Sequence, residues 1–172
     1  MFKKLLNIIG TTGVRLKYGA ESLNSYCYSV TMAASVNLYP ASSYFVTFDS
    51  SGNAALTAAT STFISGAIVG VGAGNPGGTT PTYYTTSSTA GAESFACTSD
   101  LSAVFRVPVG SGTYARSNRG KLCDLVITAG VQGAAVQVAT RGHLRLLDGD
   151  ETNNKWVIAQ LNPALISGGN AS

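Results

Sequence analysis

Between Leu101 and Pro163, short apolar runs alternate with clusters of Gly, Asn and Asp at a fairly even spacing. That is the pattern of a small antiparallel sheet folded on itself. Residues 104–109 predict a strand with Phe105, Val107 and Val109 on one face and Arg106 on the other. A second strand is predicted over 122–127, where Cys123, Leu125 and Ile127 share a face. In 143–147, Leu144 and Leu146 stand together, opposite His143 and Arg145. The run 155–161 holds the only Trp, Trp156. A fifth strand is predicted over 131–139, weakened by its alanines.

Upstream, the even positions from 26 to 38 are Tyr26, Tyr28, Val30, Met32, Ala34, Val36 and Leu38, and the odd ones are mostly small or polar. Period-two alternation predicts one long strand or two joined strands ended by Pro40; a helix capped by Ser22 is the competing reading. Residues 44–48 alternate again, and Asp49-Ser-Ser-Gly52-Asn53 reads as a turn. The Ala/Thr-rich stretch 54–61 reads as a short helix or a loop. Residues 63–71 form a continuous apolar run interrupted by Gly66 and Gly70, short enough for a buried strand. A Gly/Pro/Thr loop over 72–82, an extended polar stretch over 83–91 and a short strand over 93–98 complete the series. The tail 167–172 has the composition of a mobile end. The expected fold class is all-β: an antiparallel β-sandwich or small β-barrel with an extended N-terminal arm.

At 172 residues the chain predicts a single β-rich domain over 21–172 preceded by an arm over 1–20. Only 11% of residues are charged, less than half the usual share, against 45% apolar. Surface that is so weakly charged suits coverage by a partner, including copies of the same chain. The net charge of +3 is too small to argue for nucleic acid. Its distribution is uneven: Lys3, Lys4, Arg15 and Lys17 crowd the start, while Glu21, Asp49 and Glu93 are the only charges from Tyr18 to Ser99. Cys27, Cys97 and Cys123 are odd in number and lack CxxC spacing, which argues against a disulfide framework or a zinc site and predicts buried free thiols.

In the arm, Phe2, Leu5, Leu6 and Ile9 fall at helical spacing behind Lys3 and Lys4. The apolar run is shorter than a signal-peptide core, and no small-residue cleavage site follows. No stretch approaches the roughly 20 apolar residues of a membrane span. Docking on a neighbouring subunit is therefore preferred to membrane association.

Other motifs have ordinary explanations. Gly72-Ala-Gly74-Asn-Pro76-Gly77 matches G-x-G-x-x-G, but Pro76 and Pro81 forbid the helix a dinucleotide site needs. Asp148-Gly-Asp150-Glu151-Thr-Asn153-Asn154 offers oxygen ligands without calcium-loop spacing, and a hairpin turn explains it. His143 is the only histidine, so paired-His metal motifs are excluded and any Ser-His-Asp triad would have to use it, without a nucleophile elbow. No acidic pair is arranged for acid/base work, and neither cofactor nor enzymatic activity is expected. Arg116, Arg119 and Lys121 surround Tyr114 in a loop that reads as a nucleic-acid contact or as a solvated loop pairing with a partner's acids.

One resemblance emerges from the order of features. FISGAIVGV at 63–71 is followed by NPGGTTPTYY, then by AGAESFACTSDLSAVFRVPV, and last by a sheet region ending in DGDETNNKWVIAQLNP. In this the chain resembles the head decoration, or capsid-stabilising, proteins of tailed bacteriophages. It departs in its basic arm and in Arg106, where an acid is expected after Val104-Phe105. The resemblance implies a β-rich, non-enzymatic virion protein, made in the host cytoplasm, that binds the outer face of the major capsid protein lattice. It further implies self-association, trimer before dimer, with no nucleic-acid or membrane partner. The expected contacts are Phe2, Lys3, Lys4, Leu5, Leu6, Ile9, Arg15 and Lys17 in the arm, and Tyr114, Arg116 and Arg119 in the loop. Other readings are a secreted carbohydrate-binding β-sandwich, another virion component such as a tail or fibre protein, and a minor hydrolase using His143.

Overall fold

A computed structural model describes residues 19–22, 27–39, 42–71 and 84–166. The described chain is all-β. Its strands are β1 (Gly19–Ser22), β2 (Tyr28–Thr31), β3 (Asn37–Leu38), β4 (Phe45–Phe48), β5 (Ala54–Leu56), β6 (Gly66–Val71), β7 (Tyr84–Thr85), β8 (Ser94–Thr98), β9 (Val104–Ser111), β10 (Leu122–Thr128), β11 (Val131–Ala135), β12 (Leu144–Gly149) and β13 (Trp156–Leu161). The only helical elements among the described residues are 3-10 turns at Arg116–Asn118 and Pro163–Leu165.

The last five strands close into a barrel. Hairpins β10–β11 and β12–β13 are antiparallel, and β10 joins β12 through Leu122↔Arg145 and Cys123↔Leu144. Strand β9 completes the ring, antiparallel to β13 on one edge and parallel to β11 on the other. The parallel crossing is tight: a Cβ on Gly133 would lie 2.8 Å from the Pro108 carbonyl oxygen. The free start of that same β9 edge is taken by β1, with Gly19 opposite Arg106 and Ala20 opposite Phe105. The last two residues assigned to the arm therefore belong to a sheet.

Alternation fills the barrel. Phe105, Val107, Cys123, Leu125, Leu144, Leu146, Val157, Ala159 and Leu161 are all at most 2% exposed. Each large side chain among them contributes about 1.5–3 kcal/mol of burial before entropy is subtracted. Two sequence expectations change here. Ile127 shares the parity of Cys123 and Leu125 but is 38% exposed, because β10 runs past the barrel rim. His143 precedes β12 rather than lying in it, and it is buried rather than outward beside Arg145.

A second sheet, ordered β2-β8-β6-β4-β5, packs against the barrel. A parallel bridge between Met32 and Ala54 ties its two outer strands and curls it around its own core. Val30, Met32, Tyr44, Val46, Ile68, Phe95 and Cys97 lie in that core, while Phe45 and Ala67 point the other way into the barrel's core. Strands β4 and β6 are thus apolar on both faces, which accounts for the unbroken run at 63–71. Phe45 meets Phe105 edge to face, with ring centroids 5.2 Å apart.

The described part of the stretch 26–38 forms two strands, β2 and β3. Ser35, at φ 55°, turns the chain between β2 and β3, and β3 pairs with β7 in a separate ribbon. Residues 54–61 are neither helix nor plain loop at their start, since β5 pairs with β4 there. The turn at 49–53 forms as expected: the Asp49 carboxylate accepts the Ser51 and Asn53 amides, and Gly52 takes φ 80°. The glycine-rich motif at 72–77, the arm residues 1–18 and the tail 167–172 lie outside the described residues.

Candidate contact surface

The buried polar groups are joints of the fold. Gln132 in β11 has no solvent exposure and connects the two sheets. Its Nε2 donates to the Phe45 and Thr57 carbonyls, and its Oε1 accepts from the Phe45 amide and the Ser43 hydroxyl. Its backbone is held as firmly, since the amide donates to Ser42 Oγ and the carbonyl accepts the Ser43 amide. Both Nε2 hydrogens are used, and the one Ser43 hydroxyl hydrogen is shared between Oε1 at 3.3 Å and the Gln132 carbonyl at 2.9 Å.

His143 is a second joint. Its Nδ1 accepts the Leu125 amide at 3.1 Å, so that nitrogen carries no proton, and Nε2 donates to the Ser61 carbonyl at 2.8 Å. The imidazole replaces a missing ladder bond where β12 leaves β10 and ties the barrel to the β5–β6 connection. Asp124 beside it accepts three successive amides, from Thr140, Arg141 and Gly142. This carboxylate clamps the β11–β12 loop in place of the backbone partners that the loop lacks.

The three thiols are free, but only two are buried; Cys27 is exposed. Burial pushes the Cys97 thiol up to about 11 and Cys123 up to about 12. Both remain protonated and poorly nucleophilic at neutral pH. A thiol reagent applied to the folded protein should modify Cys27 alone, and all three after denaturation. Fast modification of three groups in the folded state, or a single group after unfolding, contradicts this arrangement.

The loop singled out by its basic residues connects β9 to β10. Tyr114 does not belong to its surface. The ring is 2% exposed and packs over Gly149, where a Cβ would meet it at 2.6 Å. Its amide donates to Asn154 Oδ1 and its hydroxyl to Asp148 Oδ1. Arg116 and Arg119 are exposed, but each faces an acid of the β12–β13 hairpin: Arg119 Nη2 lies 2.8 Å from Asp148, and Arg116 Nε 3.6 Å from Glu151. The Arg119 guanidinium, and then the Gly149 amide, hold the Asp148 carboxyl below its ordinary value. Exposed pairs of this kind contribute little stability. What the Arg119–Asp148 pair does contribute is present above the ordinary carboxylate range and is lost as pH falls through the lowered Asp148 value.

The hairpin turn read in Asp148–Asn154 is present. Asp150 accepts the amides of Thr152, Asn153 and Lys155, and Asn154 holds both Tyr114 and the Gly112 carbonyl. Among the described residues no group of three or more His, Cys, Asp or Glu is placed to hold a metal ion. Arg106 stacks over Trp156 on the barrel's outer face, 4.6 Å from the ring centroid.

The contact residues expected in the arm, from Phe2 to Lys17, lie outside the described residues. Sequence reasoning named Lys121 but overlooked its neighbours in space. Lys121 and Leu122 line a groove of about 730 Å³ together with Ser117, Gln137 and Ala139, next to Arg145 on β12. No local motif could have announced this group, since β10–β12 pairing assembles it. Comparison with protein-family models, with curated proteins and with solved structures finds no match for this chain.

Proposed function

We propose that this protein is a non-enzymatic virion component that binds the outer surface of a phage capsid and stabilises the capsomer lattice. The observation that carries the reading is the ordered likeness of 63–163 to phage head decoration proteins. In the fold, those segments supply β6 and β8 of the five-stranded sheet, and β9, β13 and the end of β12 in the barrel. The chemistry of the interior is in keeping with this role, because Gln132 and His143 tie the barrel to the second sheet and its β5–β6 connection, and Asp124 fixes the barrel's β11–β12 loop. A sheet body held by buried hydrogen bonds loses little conformational freedom on docking, which favours a permanent structural contact. The partners proposed are the major capsid protein and further copies of this chain, with a trimer preferred.

The arm is proposed as the fastening. Phe2, Leu5, Leu6 and Ile9 supply apolar anchors, and Lys3, Lys4, Arg15 and Lys17 supply steering that salt should weaken. A deletion that tests this ends at residue 18, since Gly19 and Ala20 pair with β9. In co-sedimentation with particles built from the accompanying major capsid protein, the full chain should pellet at fixed stoichiometry. The chain lacking residues 1–18 should keep its thermal midpoint but lose about tenfold or more in occupancy. Equal occupancy by both chains would remove the arm from the contact, and no binding by the full chain would overturn the decoration reading.

A further inference from the structure

The barrel has an outer face on which positive charge gathers around exposed Leu122 with no countercharge among the described residues. Strands β10 and β12 meet through only two residue pairs, Leu122↔Arg145 and Cys123↔Leu144. Cys123 and Leu144 point into the core, so Leu122 and Arg145 stand side by side outside. Leu122 is 37% exposed and rests on Gly142, where a Cβ would lie 2.9 Å from its Cδ1. The Gly142 corner therefore holds Leu122 upright, and it also places Arg141 next to it. Val138, 47% exposed, approaches the same strand, its carbonyl accepting the Asp124 amide at 2.7 Å. The groove beside Leu122 runs along Lys121, Gln137 and Ala139.

Lys121, Arg141 and Arg145 are all exposed, and among the described residues no carboxylate lies within ion-pair reach of any of them. The acids nearby are engaged elsewhere. Asp124 points inward onto three amides, Asp148 faces Arg119, and Asp100 turns onto Ser102. Gln160, the β13 neighbour of Arg145, is neutral and donates to the Ser102 carbonyl. Among the described residues the cations therefore stay uncompensated around Leu122 and an open groove. Such a surface is complementary to an acidic chain that carries an apolar side chain: the rim charges steer it, and the apolar residue seats beside Leu122. Nucleic acid fits less well, since none of these residues offers an aromatic ring for a base to stack on.

We propose that Lys121, Leu122, Arg141 and Arg145 form a docking surface for an acidic protein segment anchored by an apolar residue. The surface goes beyond the decoration reading; where that reading holds, the segment belongs to the capsid lattice.

The test uses the full chain and a fluorescent synthetic peptide of alternating Glu and Leu, followed by anisotropy at low and high salt. The wild type should bind it, bind less as salt rises, and ignore a Gln/Leu counterpart. K121E/R141E/R145E should lose about tenfold or more in affinity, K121Q/R141Q/R145Q should lose less, and Leu122→Ser should weaken binding at both salts. No binding by the wild type, equal binding by the charge-reversed chain, or tighter binding to a DNA duplex than to the peptide overturns the proposal. Co-sedimentation of the same variants separates the two readings. Salt-sensitive peptide binding by a wild type that does not decorate particles sinks the decoration reading and upholds this surface. Decoration retained by a charge-reversed chain that has lost the peptide upholds the surface and assigns the capsid contact elsewhere.

Discussion

Replacing Gln132 by leucine should lower the unfolding free energy by about 4 kcal/mol, a large share of the 5–15 kcal/mol that holds a domain together. Leucine nearly preserves the volume, so the loss comes from hydrogen bonds rather than from a cavity. Without the side-chain amide, the Phe45 amide and the Thr57 carbonyl lose the partner that Gln132 supplies, while the Phe45 carbonyl keeps the Thr57 amide. All lie on the seam between the sheets, where Ser42, Ser43 and Thr57 are also fully or almost fully buried and water cannot substitute. Each orphaned buried group costs about 1–3 kcal/mol. Urea denaturation followed by Trp156 fluorescence measures the change directly. A midpoint shift equivalent to less than about 1 kcal/mol would mean that the seam admits water and that Gln132 is no joint.

Phe45→Ala should cost a similar amount, about 3–5 kcal/mol, by a different route. Phe45 is 1% exposed and enters the barrel's core from the neighbouring sheet, edge-on to Phe105. Truncation leaves a cavity at the place where the two sheets share one core, and the closed barrel limits its collapse. A double-mutant cycle with Phe105→Ala should return a coupling of about 1 kcal/mol for the ring pair beyond the separate losses. Strict additivity of the two truncations would place the rings in independent cores, against the arrangement described. Calorimetry or urea titration of the four proteins provides the comparison.

These two residues also mark where the sequence was legible and where it was not. Phe105, Val107 and Arg106 announce a half-buried strand because one face meets the core and the other meets solvent. The same rule found Cys123 and Leu125 in 122–127, and Val30, Met32 and Leu38 upstream, but it misplaced Ile127 and Ala34, which are exposed. It could not find closure. The parallel pairing of β9 with β11, and the Met32–Ala54 bridge, join positions far apart in the chain with no local signature. Gln132 sits between Val131 and Gly133 with no cue that its amide would serve another sheet. Residues 54–61 were ambiguous because Ala and Thr suit several conformations, and pairing with β4 decides for a strand.

Parity failed at His143 because β12 begins one residue later, which turns the imidazole inward to the Leu125 amide. Tyr114 read as a surface aromatic because Arg and Gly surround it in sequence. Its partner, Gly149, lies across the barrel rim and offers the only hint, since a glycine within a strand often marks the close approach of something large. The cluster of Lys121, Leu122, Arg141 and Arg145 was scattered for the same reason, across two strands and the loop between them.

For the capsid reading, the most direct measurement is a cryo-electron-microscopy reconstruction of particles assembled from the accompanying major capsid protein with and without this chain. The account predicts added density on the outer surface of the shell, repeated at equivalent lattice positions, into which the barrel and its partner sheet fit as one body. Density inside the shell or only at the tail, or identical shells in the two preparations, would contradict it.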